Sequence, residues 1–325
     1  MMWSFKKSCI ALGSLGSGLL LASIGCGGMP TDGEIGSVAQ AIGGGIPPAW
    51  VKVPYQIKSA PDLCPSQIGQ IDIVAREADN RIVHLVRSPG STTWGKESFN
   101  FYSAFDPTCA SYADKKIAIE AIGSDGYLYQ LTSDKYTWVK RTTPQKPSAQ
   151  PDLSAYLGYL YVVYPTNDAH VRMLLSNDTT TDLGALSPLG FRAGAWGSGM
   201  FSWKNYSDSK IHYKNAAGYI EYIAGQDLPN WTVATSAPDC AYFPEIGSHY
   251  AQGRCVALGP LASATQSRVG SLCETNGGCT SAERTPIATT SNVSIGYYRT
   301  SATLPYEVLA ARGTDNYVYT LISNY

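Results

Sequence analysis

The sequence predicts an all-β protein built from about six copies of a four-stranded unit closed into a ring. Three observations predict it. The composition suits short strands and tight turns, with 22 tyrosines, 32 glycines and only 15% charged residues. A hairpin pattern recurs about every 46 residues, a length that holds four short strands. A tryptophan strand recurs at the same period, and its first copy lacks the hairpin that precedes the others.

The chain begins with the parts of a secretory signal. Lys6 and Lys7 supply positive charge, and the run from Ile10 to Ile24 is uncharged and mostly apolar or small. That run is shorter than the roughly 20 apolar residues a membrane-spanning helix needs. Ser23-Ile24-Gly25-Cys26 resembles a bacterial lipobox, with Ser23 where leucine is usual, so Cys26 is the expected lipidation site. Ordinary cleavage nearby is the alternative. Gly27, rather than Asp, directs such a lipoprotein to the outer membrane or cell surface; without the lipid the protein is secreted. Residues 27–48 are rich in Gly, Pro and small residues and read as a flexible tether. Residues 49–325 are then one closed domain.

Three hairpins in that domain match one another: Ile73 to His84 around Asp79-Asn80, Ile119 to Gln130 around Asp125-Gly126, and Leu309 to Thr320 around Asp315-Asn316. Asp-Gly and Asn tolerate the positive φ of tight turns. Weaker copies run from Tyr161 to Arg172 around Asp168 and from Ile211 to Tyr222 around Ala217. An irregular unit around residues 240–285 completes the count. Trp94-Gly-Lys, Trp138-Val-Lys and Trp231-Thr-Val each follow a hairpin, whereas Trp50-Val-Lys has none before it and the last hairpin has no tryptophan strand after it. Circular closure repairs both ends and removes the open edges of a linear array. The pattern is that of a six-bladed β-propeller closed by its N-terminal strand, with five or seven blades as the neighbouring counts. A third marker, Ser59-Ala-Pro-Asp62, returns at Ser103 to Asp106, Ser148 to Asp152 and Ser236 to Asp239, where each blade begins.

A net charge of −1 gives no electrostatic case for nucleic acid or an anionic membrane surface. Beyond the signal, Cys64, Cys109, Cys240, Cys255, Cys273 and Cys279 form an even set in an exported chain, which predicts disulfides. Nearness in sequence favours Cys240–Cys255 and Cys273–Cys279, leaving Cys64–Cys109. No C-x-x-C spacing supports a zinc site, and His84, His170, His212 and His249 show no metal spacing. Asp62, Asp106, Asp152 and Asp239, each at the start of a blade, are candidate ligands for Ca²⁺ at the channel mouth, the alternative being local turn capping. Glu120, where the matching hairpins have Val74 and Ala310, is a candidate buried acid without a nameable partner carboxylate. No G-x-S-x-G, HExxH or P-loop is present.

The Ala-Arg-Gly-Thr-Asp-Asn hairpin ending in Asn316, together with the tryptophan strand that follows the hairpins of other blades, resembles blades of bacterial propeller lectins of the Photorhabdus-lectin and fucose-lectin kind. The resemblance covers most of residues 49–325 and is clear in three blades. It implies sugar pockets between blades, built from aromatic faces with arginine and acidic side chains. It therefore points to Arg312, Tyr319, Arg76, Trp94, Tyr129 and Trp138 as ligand-binding residues, although packing between blades is the other use of such aromatics. The arginine recurs in two copies, and Ile122 replaces it in a third. The expected function is carbohydrate binding at the cell surface, with glycans or surface polysaccharide as partners, and the reading leans against an enzyme. A glycoside hydrolase or lyase on a propeller scaffold is the alternative, and a surface scaffold without a small ligand is the third reading.

Overall fold

The computed structural model describes residues 49–64, 69–113, 116–156, 159–185, 199–202, 209–214, 220–222, 239–243, 252–261, 267–274, 282–289, 291–298 and 306–324. Every regular element among them is a strand, and the strands sort into six antiparallel sheets. The first sheet holds β2 (Asp62–Cys64), β3 (Ile71–Arg76), β4 (Arg81–Arg87) and β5 (Gly95–Tyr102) in that order. The second holds β6 (Thr108–Ala113), β7 (Lys116–Ile122), β8 (Leu128–Thr132) and β9 (Val139–Lys140). The third holds β10 (Asp152–Tyr156), β11 (Tyr159–Pro165), β12 (His170–Leu175) and β13 (Thr180–Ala185). The fourth shows β14 (Gly199–Ser202), β15 (Ser209–Lys214) and β16 (Ile220–Tyr222). The fifth holds β17 (Asp239–Phe243), β18 (Gln252–Leu261), β19 (Ser267–Glu274) and β20 (Ala282–Ile287).

The sixth sheet joins the two ends of the domain. It orders β21 (Ser294–Tyr298), β22 (Tyr306–Arg312), β23 (Tyr317–Asn324) and then β1 (Val51–Gln56), with Val51 opposite Thr320 and Lys52 opposite Tyr319. The first strand of each sheet lies against the first strand of the next: β2, β6, β10, β14, β17 and β21 follow in turn, and β21 lies against β2. Six sheets thus stand around a common axis as blades.

Burial explains the sequence of the second strands. In β3, Ile71, Ile73 and Ala75 pack against Val308, Ala310 and Val318 of blade 6, while Val74 packs with Ile117, Ile119 and Ala121 of blade 2. A strand buried on both faces reads as a continuous apolar run rather than an alternation. The hairpin aspartates act as turn residues. Asp79, Asp125, Asp168 and Asp315 each accept the N–H two residues on, at 3.1, 3.2, 3.3 and 3.1 Å. The residue after each has positive φ: Asn80, Gly126, Ala169 and Asn316. Cys64 and Cys109 form a disulfide with a Cα separation of 5.2 Å, which ties β2 to β6 across two blades. In blade 5 the register sets Cys240 opposite Cys255. Cys26, Trp231 and Cys279 lie outside the described residues, as do the signal segment and the tether.

Candidate functional site

The arginines singled out in the sequence hold blades together. Arg76, at the end of β3, donates to the carbonyls of Ser103 and Ala104 in blade 2 at 3.2 and 2.8 Å and pairs with Asp106 at 2.6 Å. Arg312 occupies the same place in blade 6 and donates to the carbonyl of Lys58 in blade 1. Burial holds its pKa below the ordinary arginine value; Asp106 opposes that shift and the like charge of Arg76 adds to it. Both guanidinium groups thus make contacts across blade seams. Trp94 and Trp138 also pack between blades. Trp138 stacks on Phe101 at 4.1 Å and meets Phe99 edge-on at 6.2 Å, and Trp94 lies against the Val53, Ile73 and Val83 cluster.

Tyr129 and Tyr319 belong to a hairpin unit that repeats in blades 2 and 6. Each phenol donates to the hairpin aspartate, Tyr129 to Asp125 at 3.0 Å and Tyr319 to Asp315 at 2.9 Å. The lysine of the Trp-Val-Lys strand reaches the same carboxylate, Lys140 at 2.6 Å and Lys52 at 2.7 Å. Each ammonium also lies over a tyrosine ring, Lys140 over Tyr127 at 3.8 Å and Lys52 over Tyr317 at 3.6 Å. In blade 1 the lysine of the same marker, Lys96, pairs instead with Glu77 at 2.5 Å.

The four candidate Ca²⁺ ligands are not gathered around one point. Among the described residues no group of three or more His, Cys, Asp or Glu is placed to hold a metal ion. Asp106 is paired with Arg76 across the seam between blades 1 and 2; it lies two positions before Thr108, which begins β6. Asp62, Asp152 and Asp239 instead start the innermost strands of blades 1, 3 and 5, while Thr108 and Ser294 start those of blades 2 and 6. Burial pushes the Asp62 carboxyl up to about 6, against hydrogen bonds from Cys109, Thr108, Ser294 and Leu63.

Glu120 lies in the seam between blades 2 and 3. It is fully buried, 3.9 Å from Arg141 Nη1, and accepts from Gln130 Nε2 at 3.1 Å. Burial pushes its pKa up to about 7, with Arg141 opposing. Arg141 in turn pairs with Asp178 of blade 3 at 2.6 Å. Arg141 makes the contact to the next blade, and Glu120 behind it has no exposed surface at which to meet a substrate.

An enclosed pocket among the described residues lies in the seam between blades 1 and 2. It has a volume of about 100 Å³. Phe99, Ile117, Ile119 and Leu131 give it an apolar wall; Gln70, Asp72, His84 and Glu97 bring polar groups from blade 1. Asp72, itself 1% exposed, accepts from both Gln70 Nε2, at 2.8 and 3.0 Å, and His84 Nε2, at 2.8 Å. A carboxylate only accepts, so this contact places the imidazole hydrogen on Nε2 and turns Nδ1 toward Glu97, 3.9 Å away. At the rim stands Tyr136, 65% exposed and held at φ 50, an uncommon conformation for a bulky residue. The signal for this pocket was the pairing of His84 with Glu97 on adjacent strands; blade 2 has Gln130 opposite Val139 at the matching place.

The fold has solved counterparts. AofleA from Arthrobotrys oligospora aligns over 87% of this chain and 88% of its own, with a TM-score of 0.58 at 10% identity. The Aleuria aurantia lectin, described as a six-bladed β-propeller with a novel fucose recognition mode, aligns over 83% and 93% with a TM-score of 0.56 at 10% identity. The fold is a six-bladed β-propeller. SapL1 lectin, solved with α-methyl fucoside, aligns over 81% and 96% of the two propellers with a TM-score of 0.52 at 12% identity. No family model and no curated protein matches the sequence. Identities this low establish the propeller alone, because one scaffold carries many functions.

A wider, open groove of about 470 Å³ runs along the seam between blade 6 and blade 1. Tyr55, Tyr317, Glu77, Arg81 and Lys96 line it. Its charges are mutually paired, Lys96 with Glu77 at 2.5 Å and Arg81 with Asp79 at 2.6 Å. Arg312 crosses this same seam, and the more enclosed pocket lies one blade further on.

Proposed function

We propose that the protein is a carbohydrate-binding propeller and that the pocket between blades 1 and 2 is its sugar site. The observation that carries this reading is the pairing of an apolar wall with an oriented imidazole and an accessible carboxylate. A sugar has both an apolar C–H face and hydroxyls that need hydrogen-bond partners, and the pocket supplies each. Glu97 and the Nδ1 of His84 accept hydroxyl protons, while Tyr136 at the rim offers a ring to the sugar face. The similar solved lectins support this class of ligand, and fucosides are the first compounds to test.

The experiment is a glycan array on residues 49–325 followed by titration calorimetry with the best glycan. His84→Ala and Glu97→Gln are expected to weaken binding at least tenfold without changing the melting temperature much, since each removes a hydrogen bond to the ligand. Full-strength binding in both variants rejects the pocket, and shortened glycan products in the same samples favour the hydrolase reading. Shallow single sites are weak, so clustering raises avidity. A lipid on Cys26 at the outer membrane or cell surface provides that clustering, and mass spectrometry of the mature N-terminus tests for it.

A further inference from the structure

The innermost strands carry a girdle of side chains around the axis. In each described case the first residue of one innermost strand accepts the backbone N–H of the second residue in the next. Asp62 Oδ2 accepts from Cys109 N at 2.7 Å, Thr108 Oγ1 from Leu153 N at 3.0 Å, Asp239 Oδ2 from Ile295 N at 2.7 Å and Ser294 Oγ from Leu63 N at 2.9 Å. From blade 5 round to blade 3 the girdle reads Asp239, Ser294, Asp62, Thr108, Asp152, so that carboxylates alternate with hydroxyls. Each hydroxyl lies between two carboxylates. Ser294 Oγ is 2.6 Å from Asp239 Oδ2 and 3.2 Å from Asp62 Oδ1. Thr108 Oγ1 is 3.4 Å from Asp152 Oδ1 and also bonds to Asp62.

A hydroxyl has one proton, so it serves one of its two carboxylates. The short contact assigns the Ser294 proton to Asp239, and the one Thr108 proton is shared between Asp152 and Asp62. The 3.2 Å contact between Ser294 Oγ and Asp62 Oδ1 is then left without a hydrogen when Asp62 is ionised. The count closes when Asp62 itself carries a hydrogen and donates it to Ser294 Oγ.

We propose that Asp62 holds a proton in the closed ring, so that the girdle joining blades 5, 6 and 1 is an acid-stabilised clasp. The charged and titratable neighbours agree. Asp239 and Asp152 stand beyond the two hydroxyls, and Cys109 is held in its disulfide. Tyr298 of blade 6 packs near Asp62 and Asp72, its phenol pushed well up by burial first and then by those two carboxylates, with Arg87 opposing. Burial places the Asp62 carboxyl at about 6. A carboxyl raised in the folded state contributes stability that is complete below its unfolded value and is lost as pH rises through the folded one.

The test is thermal unfolding of residues 49–325 between about pH 5 and pH 8, in a Glu120→Gln background that removes the other raised carboxyl. The parent melting point is expected to fall by about 5 °C as pH rises, while Asp62→Asn, whose amide donates to Ser294 and whose oxygen accepts from Cys109, stays level and melts higher than the parent at pH 8. The protonated-carboxyl infrared band of the folded parent, absent from Asp62→Asn, reads the proton directly and does not depend on the melting comparison. Equal pH profiles in parent and variant, or no such band at pH 5, overturn the proposal. So does a Ca²⁺-induced rise in the parent's melting point at pH 8 that Asp62→Asn lacks, because a cation would then close the girdle.

Discussion

At the scale of single residues, identity depends on what stands across the hairpin. A Cβ on Gly313 would lie 2.5 Å from Tyr319 Cε2, and one on Gly123 would lie 2.7 Å from Tyr129 Cε2. Blade 1 has Val83 at the tyrosine position and accepts Glu77 in place of the glycine; blade 3 pairs Thr166 with Arg172. Gly313→Ala is therefore expected to destabilise the domain by about 1–3 kcal/mol, and adding Tyr319→Val is expected to recover part of that loss in chemical denaturation. Glu120 makes a second prediction. Its carboxyl is raised in the folded state by burial, so its contribution is complete below about pH 4 and is lost as pH rises through about 7. Glu120→Gln removes that step and flattens the pH profile by at most ~3 kcal/mol; a variant profile as steep as the parent's would show the carboxyl to be ordinary.

Within elements, one network appears in two electrostatic versions. Blades 2 and 6 join aspartate, tyrosine and lysine, whereas in blade 3 Arg172 stands in the tyrosine position and Asp182 opposite it. Arg172 reaches Asp168 at 2.8 Å and Asp182 at 2.9 Å. The turn aspartate stays because it caps the hairpin; its partners change sign together. In blade 5, Cys240 and Cys255 are register partners on β17 and β18, a spacing within the reach of a disulfide. Unreduced peptide mapping is expected to recover a Cys240–Cys255 peptide, and free thiols at both positions would refute the pairing.

For the molecule as a whole, closure decides stability. The sixth blade takes its outermost strand from the start of the domain, and Trp50 is buried with Leu309 and Leu321. Deleting residues 49–56 strips an edge and uncovers that core. It is expected to lower the melting temperature of the entire domain in one cooperative step, and an unchanged midpoint would count against closure. The Cys64–Cys109 bridge works at the other end of the blades by fixing two innermost strands, where such links typically add about 2–4 kcal/mol.

The blade count, the closing strand, the hairpin turns and the Cys64–Cys109 pair were legible in the sequence, because a short period repeats local chemistry that each blade needs by itself. Asp-Asn and Asp-Gly turns, apolar second strands and the Trp-x-Lys strand follow from rules that act within a few residues. The pocket was not legible. Asp72, His84 and Glu97 are separated by the strand period and meet Ile119, Leu131 and Tyr136 of another repeat only after the blades pack. The contacts of Arg76 were hidden for the same reason: only the neighbouring blade supplies Asp106 and the carbonyls it meets. Periodicity determined which residues share a blade, and the packing of one blade on the next decided which of them line the pocket.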